Sequence, residues 1–269
     1  MKSGSTRSKT FCFWVAIFSA SALTLPLTAW SVSEGKTSVA TGFNYTTGSY
    51  GTSSTTNIVS IPVIGKYETE SWEFKLMVPY LSMTTVGGVL PGFGNGSFKR
   101  NNMNLNITTQ SGLGDMVAST TYFLDYGSDT TPGIDLTAKV KLPTADKNKG
   151  LGTGEVDYAL QIDMYQRKGK LTIFGSLGRK FLGSSVDYVL NDIFYGSIGG
   201  GYKLAEKTSA SVSLDAAQAS SVYGANQLEA SFSISHLIDK TKKAQAYVFK
   251  GLANGSPDIG YGALLTFMF

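Results

Sequence analysis

Apolar and polar residues alternate along most of this sequence, in segments of about ten residues. Segments 72–80, 134–142, 156–164 and 228–234 each carry apolar residues at every second position, with mostly charged or hydroxyl residues between them. A period of two is that of a β-strand, whose side chains point alternately to opposite faces. Each segment is therefore predicted to be a strand with one apolar face and one polar face.

The same pattern, in weaker form, fills the rest of the chain and predicts twelve strands. An even number of strands of nine or more residues is typical of bacterial outer-membrane barrels. No segment sustains the 3.6-residue period of an amphipathic helix. The strands are expected near 36–47, 57–67, 71–83, 113–126, 133–143, 154–167, 169–182, 191–204, 207–218, 227–239, 242–251 and 257–269.

The predicted connections alternate in length. With the N-terminus placed in the periplasm, the periplasmic turns are short, as at Lys168–Gly169 and Lys240–Thr241, whereas the outer loops are longer, up to Thr84–Gly112. Short turns on one side and long loops on the other are the rule for outer-membrane barrels, and a soluble β-sandwich has no reason to follow it. The predicted fold class is all-β, a transmembrane antiparallel up-and-down β-barrel of about twelve strands.

The closing segment Pro257–Phe269 has apolar residues at every second position counted back from its last residue. In a soluble sheet an exposed edge strand of this kind would promote aggregation, whereas in a barrel it closes the sheet. We predict that Tyr261, Leu265, Phe267 and Phe269 form the signal read by the barrel-assembly machinery. The alternative interpretation is a buried terminal strand of a soluble sandwich.

The N-terminal segment has the order of a secretory signal peptide. Three basic residues precede an uncharged, mostly apolar run over 11–23, and small residues follow at 28–31. A membrane anchor is the alternative, but the run is short for one and no basic stop follows it. We expect residues 1–31 to be the signal peptide and residues 32–269 to form the barrel.

Removing the predicted signal changes the charge balance. Of 23 Lys plus Arg in the whole chain, three lie in the signal, which leaves 20 against 19 Asp plus Glu, and the only cysteine, Cys12, is also lost. Such a balance does not indicate nucleic acid binding, and it leaves no thiolate for a metal or a disulfide. We expect no cofactor and no metal, a location in the bacterial outer membrane, and contact there with lipid and lipopolysaccharide.

If the apolar faces meet lipid, the charged faces line the lumen. Buried charges must be paired or hydrated, so these side chains either brace a narrow barrel or form a lining that sets which solutes pass. The predicted lumen residues are Glu73, Lys75, Asp115, Asp135, Lys139, Lys141, Glu155, Asp157, Asp163, Asp215 and Glu229.

The longest predicted loop, Thr84–Gly112, is the candidate gate. It is rich in glycine and carries Phe93, Phe98, Lys99 and Arg100. A connection of this length without its own periodicity is often functional, and we predict that these four side chains fold over the outer mouth. An exposed surface loop is the alternative.

Six short patches, three of which contain glycine, follow one another along the predicted barrel. In that order they resemble the outer-membrane barrel family named for the MetA pathway of phenol degradation. The resemblance implies a transporter-like barrel that passes small molecules, with aromatic or apolar ones as candidates, and it brings no catalytic residues. The patches are Trp72–Tyr80, Gly112–Asp115, Lys141–Thr144, Gly152–Gly154, Asp157–Tyr158 and Gly255–Pro257.

An enzyme is not predicted. Some twelve-stranded barrels are phospholipases with a Ser/His pair near the outer rim, but the only histidine here, His236, is expected to face outward near the inner rim. No other histidine is present to serve as the base. We therefore predict a channel or uptake protein for passive passage of small molecules. The alternative is a non-conducting barrel whose outer loops bind a partner or that stabilises the membrane.

Overall fold

The structure is a computed structural model in which β-strands account for most of the described chain. Among the described residues, the one helix is a 3₁₀ turn at Lys147–Lys149, and none is long and apolar enough to cross a membrane. The predicted signal peptide lies outside the described residues. These are residues 35–86, 89–90, 96–97, 107–186 and 188–269.

Fifteen strands are found in this part of the chain. They are β1 (Lys36–Gly48), β2 (Thr56–Glu68), β3 (Trp72–Thr85), β4 (Val89–Leu90), β5 (Gly96–Ser97), β6 (Thr108–Leu113), β7 (Met116–Asp125), β8 (Gly133–Leu142), β9 (Asp157–Lys168), β10 (Leu171–Phe181), β11 (Ile193–Ala205), β12 (Thr208–Ala217), β13 (Gln227–Leu237), β14 (Lys242–Gly251) and β15 (Ile259–Met268).

The main sheet closes on itself as an antiparallel barrel. Each strand pairs with its neighbours in the chain, and β1 pairs with β15 from Ser38↔Met268 to Thr47↔Ile259. Both β6 and β7 pair with β3, so they are two parts of one barrel strand, and the barrel has twelve strands. Closure removes the exposed edges that an open sheet would present, and the predicted fold class is confirmed.

The predicted strands agree with the structure to within three residues at each end, with one exception. The fourth was expected over 113–126, but the strand begins at Thr108 and is interrupted at Gly114-Asp115. The added segment TTQSG has no apolar residue, which is why the pattern did not reveal it. The predicted loop Thr84–Gly112 is correspondingly shorter and spans 86–107.

The two ends of the barrel differ as predicted. We call them the short-turn end and the long-loop end. The short-turn end has the connections 69–71, 126–132, 169–170, 206–207 and 238–241, and the long-loop end has 49–55, 86–107, 143–156, 182–192, 218–226 and 252–258.

The barrel is apolar outside and polar inside. On β9, Leu160 is 59% exposed while Gln161 is buried, and on β13 Phe232 is 46% exposed while Ser231 is buried. A soluble protein rarely exposes so large and continuous an apolar surface, whereas a bilayer requires it of a spanning barrel. The side-chain pattern is therefore that of a transmembrane barrel.

Aromatic residues gather on the outer face at the short-turn end. The Trp72 ring stacks on Phe74 with 6.2 Å between centroids and lies 4.8 Å from Tyr122. Amphipathic rings at this level are typical of the membrane–water boundary. The part of each strand that lies between the level of this cluster and the long-loop end then spans the hydrocarbon region.

Candidate functional site in the barrel lumen

The inward faces place most of the predicted lumen residues inside the barrel. Their role in selectivity remains a prediction. Glu155 is the exception in location, because β9 begins at Asp157 and the Glu155 amide donates to Thr153 Oγ1 at 3.2 Å in the β8–β9 loop. The residues that face inside or reach it are Glu73, Lys75, Asp115, Asp135, Lys139, Lys141, Asp157, Asp163, Asp215 and Glu229.

Lys141 is the centre of a buried charge cluster near the long-loop end. Its Nζ lies 2.8 Å from Asp157 Oδ2 and 3.2 Å from Asp115 Oδ2, and it donates to Thr153 Oγ1 at 3.0 Å. The lysine and both carboxylate side chains are only 3% exposed. Charges buried this deeply persist only when they are paired, so each member of the cluster depends on the others.

The same cluster holds the outer loops. Asp115 Oδ1 accepts a hydrogen bond from the Ala145 amide at 3.0 Å, and Asp157 Oδ1 accepts one from the Gly183 amide at 2.9 Å. A Cβ on Gly152 would overlap the Asp115 carboxylate, which explains a glycine there. The cluster thus ties loops 143–156 and 182–192 to the barrel wall.

Nearby, Thr144 bridges the break between β6 and β7. Its Oγ1 accepts from the Met116 amide and donates to the Gly114 carbonyl, both at 2.9 Å. Residues of the sequence patches 141–144, 152–154 and 157–158 therefore meet residues of the patch 112–115, from an earlier part of the chain, at one place in the wall.

An apolar cap lies beside this cluster. Leu151 of the β8–β9 loop is fully buried against the inward faces of β2, β3 and β6. It lies at the long-loop end of the barrel, in one buried cluster with residues of these strands. The cap consists of Tyr50, Ile58, Leu81, Met83, Val89, Ala145 and Leu151.

Tyr50 contributes both its ring and a hydrogen bond to the cap. Its hydroxyl donates to Thr46 Oγ1 at 2.6 Å, and burial raises the pKa of the phenol, so it stays neutral. Its backbone has a left-handed φ of 52°, which costs about 1–2 kcal/mol for a residue with a side chain. Burial of the ring offsets this cost.

The four predicted gate residues, Phe93, Phe98, Lys99 and Arg100, lie outside the described residues. Of the apolar cap, Ala145 and Leu151 come from the β8–β9 loop, Tyr50 from the loop 49–55 and Val89 from β4. Sequence reasoning did not single out Leu151, although one large apolar residue between Gly150 and Gly152 was a signal that could have found it.

A polar network joins inward side chains of four adjacent strands along one side of the lumen. Lys139 Nζ donates to Gln161 Oε1 at 2.7 Å, and Tyr195 donates to the same oxygen at 2.8 Å. Gln161 Nε2 in turn donates to Asp163 Oδ1 at 2.7 Å, and Lys180 Nζ lies 4.7 Å from the centre of the Tyr195 ring. Strands β8 to β11 thus present one connected set of charged and amide groups.

At the short-turn end Lys66 bridges two acids. Its Nζ lies 2.9 Å from Glu68 and 3.1 Å from Glu73. Toward the long-loop end, Asp215 and Glu229 are directly opposed on β12 and β13. Charged side chains therefore line the barrel near both of its ends.

Five inward aromatic side chains each lie over a glycine directly opposite on the neighbouring strand. A Cβ on any of these glycines would overlap the ring or its hydroxyl. The rings therefore lie along the wall, in recesses that only glycine provides, instead of projecting across the lumen. The pairs are Tyr165–Gly133, Phe174–Gly199, Tyr195–Gly178, Tyr247–Gly262 and Phe249–Gly260.

His236 faces outward near the short-turn end. Its Nδ1 lies 2.9 Å from Thr208 Oγ1. Ser233 and Ser235 face the interior instead, where they hydrogen-bond to Ser211 and Ser209. The structure does not bring a serine hydroxyl of this strand to the histidine.

The predicted assembly-signal residues lie at the end of the closing strand. Tyr261, Leu265 and Phe267 share the outward phase of β15, and Phe269 follows it, 80% exposed. The Phe269 amide still donates to the Thr37 carbonyl at 2.9 Å. Their recognition by the assembly machinery remains a prediction.

Comparison with known proteins gives a likeness of fold. No family model matches the chain, and no curated protein matches it. An outer membrane channel from Pseudomonas putida superposes with a TM-score of 0.69 at 13% identity, over 89% of this chain and 97% of that chain. The KdgM porin superposes with a TM-score of 0.53 at 10% identity, over 86% of this chain and 99% of that chain.

A third solved structure, the β-domain of the Bordetella autotransporter BrkA, gives a TM-score of 0.55 at 9% identity, over 88% of this chain and all of that one. At these identities the likeness concerns the fold alone. Together with the lipid-adapted exterior, it defines the class of this protein as an outer-membrane-type β-barrel.

Proposed function

We propose that this protein is an outer-membrane channel for the passive passage of small molecules. The observation that carries the proposal is the set of aromatic–glycine pairs in the wall. A barrel that only stabilises the membrane has no need to hold these aromatic rings against the wall. A channel does, because rings that projected into the lumen would block the passage of solutes. The polar lining and the fold shared with a named channel and a named porin support the same conclusion.

The resemblance to the MetA phenol-degradation family is part of this proposal and suggests aromatic or apolar solutes. The charged residues at mid-lumen, with Lys139, Gln161 and Asp163 at the centre, would set which solutes pass. No catalytic role is assigned to any residue. The lipid and lipopolysaccharide of the outer leaflet would surround the barrel, and the barrel-assembly machinery would insert it.

In this proposal the apolar cap closes part of the outer mouth. Leu151 is the side chain that the β8–β9 loop inserts, and the Lys141 cluster fixes that loop. The four gate residues of the β3–β6 loop are further candidates for the same closure. Deleting residues 92–102 is expected to raise conductance, and unchanged conductance would remove them from the gate.

Planar-bilayer recording with the purified barrel tests the proposal. We expect discrete conductance steps from the wild type and larger steps from Leu151→Ala, because the cap then covers less of the mouth. Val222→Ala, a change at an 81% exposed loop residue, is the matched control and should behave as wild type.

A barrel that inserts and folds but carries no current in the wild type or in Leu151→Ala would refute the channel. That result would favour the non-conducting alternative. Liposome swelling with sugars and with aromatic acids then separates solute entry from ion conduction.

A further inference from the structure

The short-turn end of the barrel carries charges of opposite sign on its two halves. We propose that five exposed lysines on one half form a binding surface for the phosphate groups of anionic phospholipids in the adjacent leaflet. In outer-membrane barrels the short turns face the periplasm, and the leaflet on that side is phospholipid. This binding is independent of the channel function proposed above. The five residues, named here the lysine arc, are Lys168, Lys170, Lys207, Lys240 and Lys242.

The lysine arc follows three turns that lie side by side. The Lys203 amide, on the strand that leads into the second turn, donates to the Lys170 carbonyl of the first at 2.9 Å. The Leu237 amide, which leads into the third turn, donates to the Lys207 carbonyl of the second at 2.8 Å. Two carboxylates lie in these turns, so the arc has a net positive charge. The turns are 169–170, 206–207 and 238–241, and the carboxylates belong to Glu206 and Asp239.

The opposite half of the same end is acidic. In a ring of twelve strands, the turn β2–β3 lies opposite β11–β12, and the turn β7–β8 lies opposite β13–β14. In residues 68–73 and 124–133, all of which the structure describes, the exposed charged side chains are Glu70, Asp125 and Asp129. An anionic membrane surface is therefore attracted to one half of this end and repelled by the other.

Apolar side chains place the lysine arc at the lipid boundary. Leu171, exposed on the outward face of β10, follows Lys170 directly, and Leu204 of β11 is exposed in the same way beside the second turn. A lysine stem can lie along such an apolar surface while its ammonium group reaches the polar headgroups. The border of lipid-facing side chains favours a membrane over a soluble partner, which would not require it.

Different side chains anchor the two halves. Trp72, Phe74 and Tyr122, which form the aromatic cluster described above, lie on β3 and β7 of the acidic half. Aromatic rings favour the membrane interface through their amphipathic shape, whereas lysines discriminate between anionic and zwitterionic headgroups. The two halves should therefore differ in lipid preference, and one reporter on each half can measure that difference.

Quenching of tryptophan fluorescence by brominated lipids tests the proposal. Trp72, the only tryptophan left after removal of the predicted signal, reports the acidic half. Leu204→Trp in a Trp72→Phe background reports the lysine arc. In mixed vesicles of phosphatidylcholine and phosphatidylglycerol, each brominated in turn, we expect phosphatidylglycerol to be favoured at least twofold at position 204 and not at Trp72. Salt at about 1 M should abolish the preference, because it shortens the Debye length to about 3 Å.

Neutralising three lysines of the arc should bring the preference at position 204 to near unity. The control removes the same charge from three exposed lysines at the long-loop end and should leave the preference unchanged. All six side chains are exposed, and folding of both triple variants is checked by heat-modifiable migration on gels. The test variant is Lys168→Gln, Lys170→Gln and Lys207→Gln, and the control is Lys147→Gln, Lys149→Gln and Lys250→Gln.

Equal quenching by both lipids at position 204, or a preference that survives in the folded arc variant, would overturn the proposal. Purified peptidoglycan is the other polyanion to test. If it pellets the detergent-solubilised wild type but not the arc variant, while position 204 shows no lipid preference, the lysines bind that polymer and the proposal is wrong. Neither readout needs an ion current, so failure here is distinct from failure of the channel.

Discussion

Replacing Lys141 with methionine should destabilise the barrel strongly. Methionine nearly preserves the volume of the side chain but removes its charge, so Asp115 and Asp157 remain buried without the ammonium group that lies 3.2 and 2.8 Å from them. Breaking a buried ion pair by removing one partner costs about 3–5 kcal/mol. Protonation of one carboxyl group limits the cost, so we expect a loss near 3 kcal/mol at neutral pH.

The assay is urea unfolding in lipid vesicles. After removal of the predicted signal, Trp72 is the only tryptophan left, and it lies at the short-turn end, far from the substitution. Its fluorescence therefore reports unfolding of the whole barrel. The matched control is Lys242→Met, because Lys242 and Asp239 form an exposed pair 3.5 Å apart. Exposed pairs contribute about 0–1 kcal/mol.

A rescue experiment distinguishes lost charge pairing from lost packing. Adding Asp115→Asn and Asp157→Asn to Lys141→Met neutralises the whole cluster, and replacing all members of a buried ion cluster is often neutral. We expect the triple variant to recover most of the lost stability. If Lys141→Met unfolds at the same urea concentration as Lys242→Met, the cluster does not hold the loops and the reasoning is refuted.

Three further predictions follow from the cap and the wall. Leu151→Ala should cost about 2–5 kcal/mol of unfolding free energy, because it leaves a cavity in the buried cap; a cost below 1 kcal/mol would show that the cap is not packed. Gly178→Ala should lower conductance, because the added Cβ overlaps the Tyr195 ring and displaces it toward the lumen, whereas Gly65→Ala, with open space around it, should not. Because burial raises the pKa of Tyr50, its contribution to stability is complete below about pH 10 and falls as pH rises above that value; Tyr50→Phe should remove this alkaline loss in urea unfolding measured at pH 8 and pH 11.

The membrane made the fold predictable from the sequence. Lipid favours apolar side chains at the outward positions of the membrane-spanning part of each strand, so Leu160 and Phe232 identify the outward faces of β9 and β13 from the sequence of each strand alone. The same alternation identified Lys139 and Asp157 as inward residues. Strand boundaries followed from the turns, because each turn breaks the period of two.

The period of two could not show which residues of neighbouring strands lie opposite each other. The aromatic–glycine pairs depend on register between strands, and Tyr247 and Gly262 are matched only once β14 and β15 are aligned. The partners of Lys141 come from three separate segments that a local pattern cannot bring together. Glu155 was predicted on β9 because its position fits the alternation of that strand. The strand begins only at Asp157, and Glu155 instead belongs to a turn in which its amide donates to Thr153 Oγ1.

The central claim is that the polar faces enclose a water-filled path while the apolar faces meet lipid. Ser231 and Phe232 are adjacent on β13, with the serine inside and the phenylalanine outside. In the reconstituted barrel, Ser231→Cys should react with a water-soluble, membrane-impermeant thiol reagent and lose conductance on modification. Phe232→Cys should react only with a lipid-soluble reagent and keep its conductance. The reverse pattern, or equal reaction of both with the water-soluble reagent, would contradict the account.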